Sequence, residues 1–160
     1  MPVRRPALSV PARAVISAIA ILAVFPLAPW PRLQMALHAA IVVALCVDPR
    51  NYFVSALLAA ASGWVLEASL KLLPHLGGTA WAAMSVAILA AFLTEHWPTE
   101  TLSAWMLRCL GLTVVLLLAT HLGLRIATGV PHHFGQGWSL AFVSLPLWAW
   151  QTWRLHDQRG

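Results

Sequence analysis

Six apolar runs, joined by short connections carrying proline, glycine and charge, leave this chain little freedom in how it folds. The runs are Ala14 to Trp30, Leu33 to Val47, Tyr52 to Leu73, Leu76 to Leu93, Leu102 to Leu124 and Trp138 to Trp153. Between them lie PWPR, VDPRN, PHLGG, EHWPTE and ATGVPHHFGQG. A helix needs roughly 20 apolar residues to cross the hydrocarbon core. Backbone polar groups cannot be left unpaired there, so runs of this length are expected to be helices. The second run is short and draws on Trp30 and Pro31 at its start. Pro26 and Pro29 are expected to kink or end the first, and Pro146 sits near the middle of the sixth.

Of 160 residues, 60% are hydrophobic and only 9% are charged. A soluble domain carries about 25% charged residues. The expected fold is therefore an all-α integral membrane protein, a single domain over residues 1–160 built as a bundle of six transmembrane helices. The basic start followed by AVISAIAILAVF has the outline of a signal peptide. The next residues, VFPLAPWPR, are bulky and proline-rich with no small-x-small site, so the first run is expected to remain as a helix.

The net charge of +5 does not form a nucleic-acid surface. Its arginines flank apolar runs instead of making a continuous basic stripe. With the N-terminus inside, the cytoplasmic segments hold Arg4, Arg5, Arg13, Arg50, Arg154 and Arg159. The opposite segments hold Arg32, Lys71 and Arg125. Six against three places both termini in the cytoplasm. Most of the nine tryptophans stand near run ends: Trp30, Trp81, Trp97, Trp138, Trp148, Trp150 and Trp153. That distribution suits an indole belt at headgroup level, with Trp64 and Trp105 left to fill helix contacts. Cys46 and Cys109 stand alone in apolar runs and are expected to act as small hydrophobes.

The third run carries the sharpest feature. Ser55, Ala59, Gly63, Glu67 and Lys71 recur every fourth residue and so share one slowly drifting helix face. Small residues let another helix approach closely. Glu67 precedes Lys71 by one turn, the favourable order for an ion pair. A carboxylate at mid-depth costs about 2.5–3.5 kcal/mol on insertion scales. Two readings stand side by side. Either Glu67 faces a partner or the bundle interior, or it forms a self-satisfied pair with Lys71 near the interface. The small residues equally suit a partner helix or close packing inside the bundle. On the partner reading, Gly63→Leu would weaken capture of a bitopic partner and leave expression intact.

The remaining polar residues are sparse. Arg108 and His121 lie thirteen residues apart, about 20 Å along a helix, and cannot share a site. Arg108 reads as an interfacial anchor, and His38 as a hydrogen-bonded packing residue. Thr99 is a candidate start for the fifth helix. His75, His132 and His133 are too loosely spaced to predict a metal, and no cofactor is implied. No catalytic constellation stands out, so the expectation is not an enzyme. The two halves of the chain show no matching pair of broken helices, which disfavours an inverted-repeat transporter.

The order of these residues resembles the MreD family, small polytopic subunits of the bacterial rod-shape machinery. The likeness rests on Pro31-Arg32-Leu33 opening a short second span, on the turn Asp48-Pro49-Arg50, on Gly63-x-x-x-Glu67 in the third span, and on the turn Leu76-Gly77. The family shows an aspartate where Glu67 stands. The resemblance implies a non-enzymatic scaffold in the bacterial inner membrane that helps control cell shape and peptidoglycan synthesis. Its partners would be the bitopic protein MreC and, through it, RodA, a class B penicillin-binding protein and MreB. The resemblance also implies a fold like the S-components of vitamin transporters. The alternative function is accordingly a substrate-binding transporter subunit, with Trp64, Trp81, His121 and Trp138 around an outward pocket.

Overall fold

The computed structural model describes residues 10–27, 29–47, 52–69, 77–97, 101–129 and 135–157. These residues form six α-helices and one 3-10 turn, with no strand among them. The helices are α1 (Val10–Leu22), α2 (Pro31–Val47), α3 (Tyr52–Ser69), α4 (Gly78–His96), α5 (Leu102–Thr128) and α6 (Gly135–Asp157). Three of them are long and apolar enough to cross a membrane: Tyr52–Ser69, Gly78–His96 and the Leu102–Ile126 part of α5.

The ends of the helices follow from local chemistry. α1 stops at Leu22, short of the expected Trp30, and a 3-10 turn occupies Phe25–Leu27. Pro26 lacks an N–H, and its ring would strike the carbonyl four residues back, which is that of Leu22. α2 instead begins at Pro31, two residues before the expected start. Proline suits the first helical position, where the N–H would be unpaired anyway. α4 begins at Gly78 because Gly77 sits at φ 124°, which is not helical. It runs on to His96, beyond Leu93, and α6 covers Gly135–Asp157 instead of 138–153. In each case hydropathy marks the apolar part of a helix and misses its polar ends, the last turn of both helices and the first residues of α6 as well.

Thr101, and not Thr99, caps α5, its hydroxyl accepting from the Ala104 N–H at 3.3 Å. The cap is the residue just before the first helical one, so the oxygen must sit three residues before the N–H it receives. Thr99 lies outside the described residues. α5 extends four residues past the expected Leu124 and ends at Gly129, in the left-handed conformation at φ 68°. α6 stays helical through Pro146.

Neighbouring helices run antiparallel, as their cross-contacts require. Gln34 and His38 of α2 meet Ser69 and Ser62 of α3 in descending order. Arg108 meets Thr94, while Gly123 lies against Gly78. One end of the bundle therefore gathers the starts of α2, α4 and α6 with the ends of α3 and α5. α2 is the central helix and packs against all five others. Its Met35, Ala39, Val42, Val43 and Cys46 are buried, as are Ala59, Val86, Leu112, Leu116 and Ala149 around it. A helix that is apolar on nearly every side belongs in a core.

The outward faces are just as apolar. Ile19, Phe53, Leu57, Ile88, Phe92, Leu107, Leu118, Ile126, Val143 and Leu147 are all exposed. Water tolerates contiguous surfaces of this kind poorly, and hydrocarbon tolerates them well. Trp30, Trp97 and Trp150 are exposed near helix ends. Trp138, Trp148 and Trp153 instead pack partly against the core. Trp105 is buried as expected, its indole N–H donating to Thr152 Oγ1 at 3.2 Å. Trp64 is not; it stands 57% exposed on the outside of α3.

α4 and α5 approach each other glycine on glycine, Gly78 against Gly123. A Cβ on Gly123 would lie 2.7 Å from the Gly78 carbonyl oxygen. Gly111 on the same helix faces open space. Gly123→Ala is expected to destabilise the protein by about 1–3 kcal/mol through overpacking. Gly111→Ala is expected to stabilise it by up to about 1 kcal/mol through helix propensity. Thermal unfolding in detergent or nanodiscs should move in opposite directions for the two variants.

Candidate functional site

The polar end of the bundle is built around the start of α4. An isolated helix start leaves N–H donors unpaired and carries a partial positive charge. Glu67, fully buried on α3, supplies both remedies. Its Oε2 accepts from the Gly77 N–H and its Oε1 from the Thr79 N–H, each at 2.5 Å. Thr79 answers in the other direction: its hydroxyl donates to the Gly63 carbonyl at 2.8 Å.

Gly63, one turn before Glu67, lets the two backbones touch. A Cβ there would lie 2.5 Å from the Ala80 nitrogen and 2.7 Å from the Thr79 carbonyl carbon. Gly77 completes the clasp, because its φ of 124° is closed to most side chains. So Gly63-x-x-x-Glu67 is one half of a contact whose other half is Gly77-Gly78-Thr79-Ala80.

The other end of α4 carries the opposite charge. Arg108 of α5 donates from Nη2 to the Leu93 carbonyl at 2.7 Å and to the Trp97 carbonyl at 2.5 Å. Its Nη1 lies 3.4 Å from Thr94 Oγ1. A cation at a helix C-terminus matches the sign of the macrodipole there. Arg108 is thus a cap for a neighbouring helix, a role more specific than the anchor the sequence suggested.

A second polar element lies between α2 and α3. Gln34 Nε2 donates to Ser69 Oγ and, at 3.1 Å, to the Val24 carbonyl. His38 Nδ1 shares a hydrogen bond with Ser62 Oγ at 2.8 Å. Gln34, His38 and Ser62 are fully buried. Among the described residues, two atoms of this seam, Gln34 Oε1 and His38 Nε2, have no hydrogen-bond partner, and neither has Thr120 Oγ1 on α5. Leaving a buried polar atom unpaired costs about 1–3 kcal/mol. Toward the opposite end Val43, Cys46, Ala90, Trp105, Cys109 and Ala149 are among the buried residues, and buried Thr113, near the middle of α5, donates its hydroxyl to the Cys109 carbonyl at 2.8 Å. Buried polarity is thus concentrated at one end of the bundle.

The residues singled out from the sequence divide clearly. Ala59, Gly63 and Glu67 are buried within the chain, and Ser55 is half-buried. Gly63 and Glu67 lie against α4 of the same molecule. Gly63→Leu would therefore strike the molecule's own backbone, so its first expected effect is on the α3–α4 packing and not on a partner. Lys71 lies outside the described residues, as do His75, His132, His133 and Asp48-Pro49-Arg50.

Trp64 and Trp81 lie on the outside, at 57% and 66% exposure. His121 and Trp138 meet edge-on with ring centroids 6.3 Å apart. Among the described residues, no three histidine, cysteine or acidic side chains come together as metal ligands would. Sequence reasoning missed Gln34, Ser62, Ser69 and Thr79. A signal was present for two of them: Ser55, Ser62 and Ser69 repeat every seven residues. That spacing keeps one face of a helix toward one neighbour.

No protein-family model matches the chain, and no curated protein and no solved structure matches it either.

Glu67→Gln keeps the size of the side chain but replaces one acceptor with a donor. One of the two N–H groups then meets an NH2 group and is left unpaired. A loss of about 2 kcal/mol is expected. Hydrogen exchange should rise first at Gly77 and Thr79. Protection unchanged at those two amides would show that the carboxylate does not hold the start of α4.

Proposed function

We propose that this chain is a six-span protein of the bacterial cytoplasmic membrane with both termini in the cytoplasm. In this reading it is a non-enzymatic interaction subunit of the MreD type in the cell-elongation complex. Its partner is the single membrane helix of an MreC-like bitopic protein, through which RodA, a class B penicillin-binding protein and MreB are reached. Three helices have the length and apolarity to cross a membrane by themselves. α2, with 17 residues, spans about 26 Å. Surrounded by the other helices, it need not match the full bilayer thickness. The excess of arginine in the two terminal segments, Arg4, Arg5, Arg13, Arg154 and Arg159, with Arg50 on the same side, supports the orientation.

One observation carries the docking reading. The small-residue ridge of α3 is occupied by α4, and that close crossing displays two indoles outward. Each residue step turns a helix by about 100°. In antiparallel helices that touch at Gly63 and Ala80, the following residues swing to the same side of the pair. Those residues are Trp64 and Trp81, both exposed. Exposed Leu57, Ile88 and Phe92 extend an apolar surface along the two helices. Helices associate in lipid through close packing and a few polar contacts. Rigid indoles offer large contact area together with an N–H donor.

The Trp64→Ala, Trp81→Ala double variant is expected to fold with unchanged thermal stability. It should lose capture of a co-expressed MreC-like partner by more than about tenfold, as removal of a hot-spot pair would. Trp97→Ala, at the opposite end of α4, should capture it normally. Co-purification of the double variant at the wild-type level would refute the docking surface.

A further inference from the structure

The seam between α2 and α3 has no part in the docking reading, yet it is chemically distinctive. Gln34 and His38 stand one turn apart on the central helix and face Ser69 and Ser62. All four side chains form hydrogen bonds within the seam. Gln34 Oε1 and His38 Nε2 are buried without a partner among the described residues. An unpaired polar atom raises the free energy of the closed bundle, and not that of a bundle in which water reaches it. The seam also ends at a weak point. Gln34 Nε2 binds the Val24 carbonyl, immediately before the 3-10 turn Phe25–Leu27, where no α-helical ladder holds the backbone. The grip of Glu67 on α4 involves neither α2 nor these four side chains.

We propose that this seam is a water-entry site. α2 and α3 part at the polar end of the bundle, and water takes the vacant positions on Gln34 Oε1 and His38 Nε2. The opposite end, lined by Val43, Cys46, Trp105 and Cys109, stays dry.

The native cysteines make the test internal, because Cys46 and Cys109 are both buried near that dry end. The full-length Ser62→Cys variant in liposomes is treated with a charged, membrane-impermeant methanethiosulfonate, and labelling is read peptide by peptide. The introduced thiol should react more than about tenfold faster than Cys46 and Cys109, the factor that about 1.4 kcal/mol of relief would give. A Ser62→Cys thiol as inert as the two native ones overturns the proposal. So does labelling of all three at one rate, which would mean general loosening. Adding Gln34→Leu and His38→Leu removes the two unpaired atoms, and the labelling rate should then fall to that of Cys46. If it does not, water entry does not depend on these atoms and the assignment is wrong.

Discussion

The rest of the bundle depends on a buried carboxylate meeting the start of a helix. Glu67 sits where an isolated charge would be expelled from an apolar interior. It is tolerated because α4 presents two N–H groups and roughly half a positive charge at the same point. Neither partner is stable in that setting without the other. The geometry demands glycine at Gly63 for approach and at Gly77 for backbone conformation, and a threonine at Thr79 to return a hydrogen bond. Arg108 does the same with reversed sign at the far end of α4. α4 is therefore held at both ends by side chains of its neighbours, each matched to the polarity of the terminus it meets.

This arrangement separates two kinds of interior. At one end, α2, α3, α4 and α5 contribute Gln34, His38, Ser62, Glu67, Thr79 and Thr120, all buried. At the other, the buried side chains are mainly aliphatic and aromatic, with Trp105 against Trp153 at 5.6 Å, and the polar contacts are those of Arg108 with the end of α4 and of Trp105 with Thr152. Burial in lipid-like surroundings makes polar pairs directional fasteners, since hydrocarbon offers them no alternative partner. The polar end is accordingly the specific end, where register is fixed by particular atoms. It is also the end that carries unpaired atoms, and so the end where water has something to gain.

The two functional inferences draw on different parts of the same construction. The Gly63–Ala80 crossing turns Trp64 and Trp81 outward on one side of the α3–α4 pair, the surface proposed for another helix. The α2–α3 seam lies within the chain and concerns water. The first depends on α3 and α4 remaining locked; the second requires α2 and α3 to yield. A single helix, α3, can serve both because its faces differ: glycine and glutamate toward α4, serine toward α2.

Much of this was legible in the sequence, because hydropathy is a property of residues and six runs force six helices. Proline marked the end of α1 and the start of α2 through its missing N–H and its ring. The weight on Gly63 and Glu67 was also visible, since small residues and a charge inside an apolar run are costly unless used. What those residues touch was not visible. Lys71, four residues on, was the nearest candidate for Glu67 by sequence, yet its described partners are backbone N–H groups ten and twelve positions away. Backbone donors have no letter in a sequence. Nor could spacing alone show that Gln34 would meet Ser69, or Arg108 the carbonyl of Leu93, since those meetings depend on which helices become neighbours. The residues set which segments become helices and where most of them end. Only the packing of those helices decided which charges meet which termini, and so which faces remain outside.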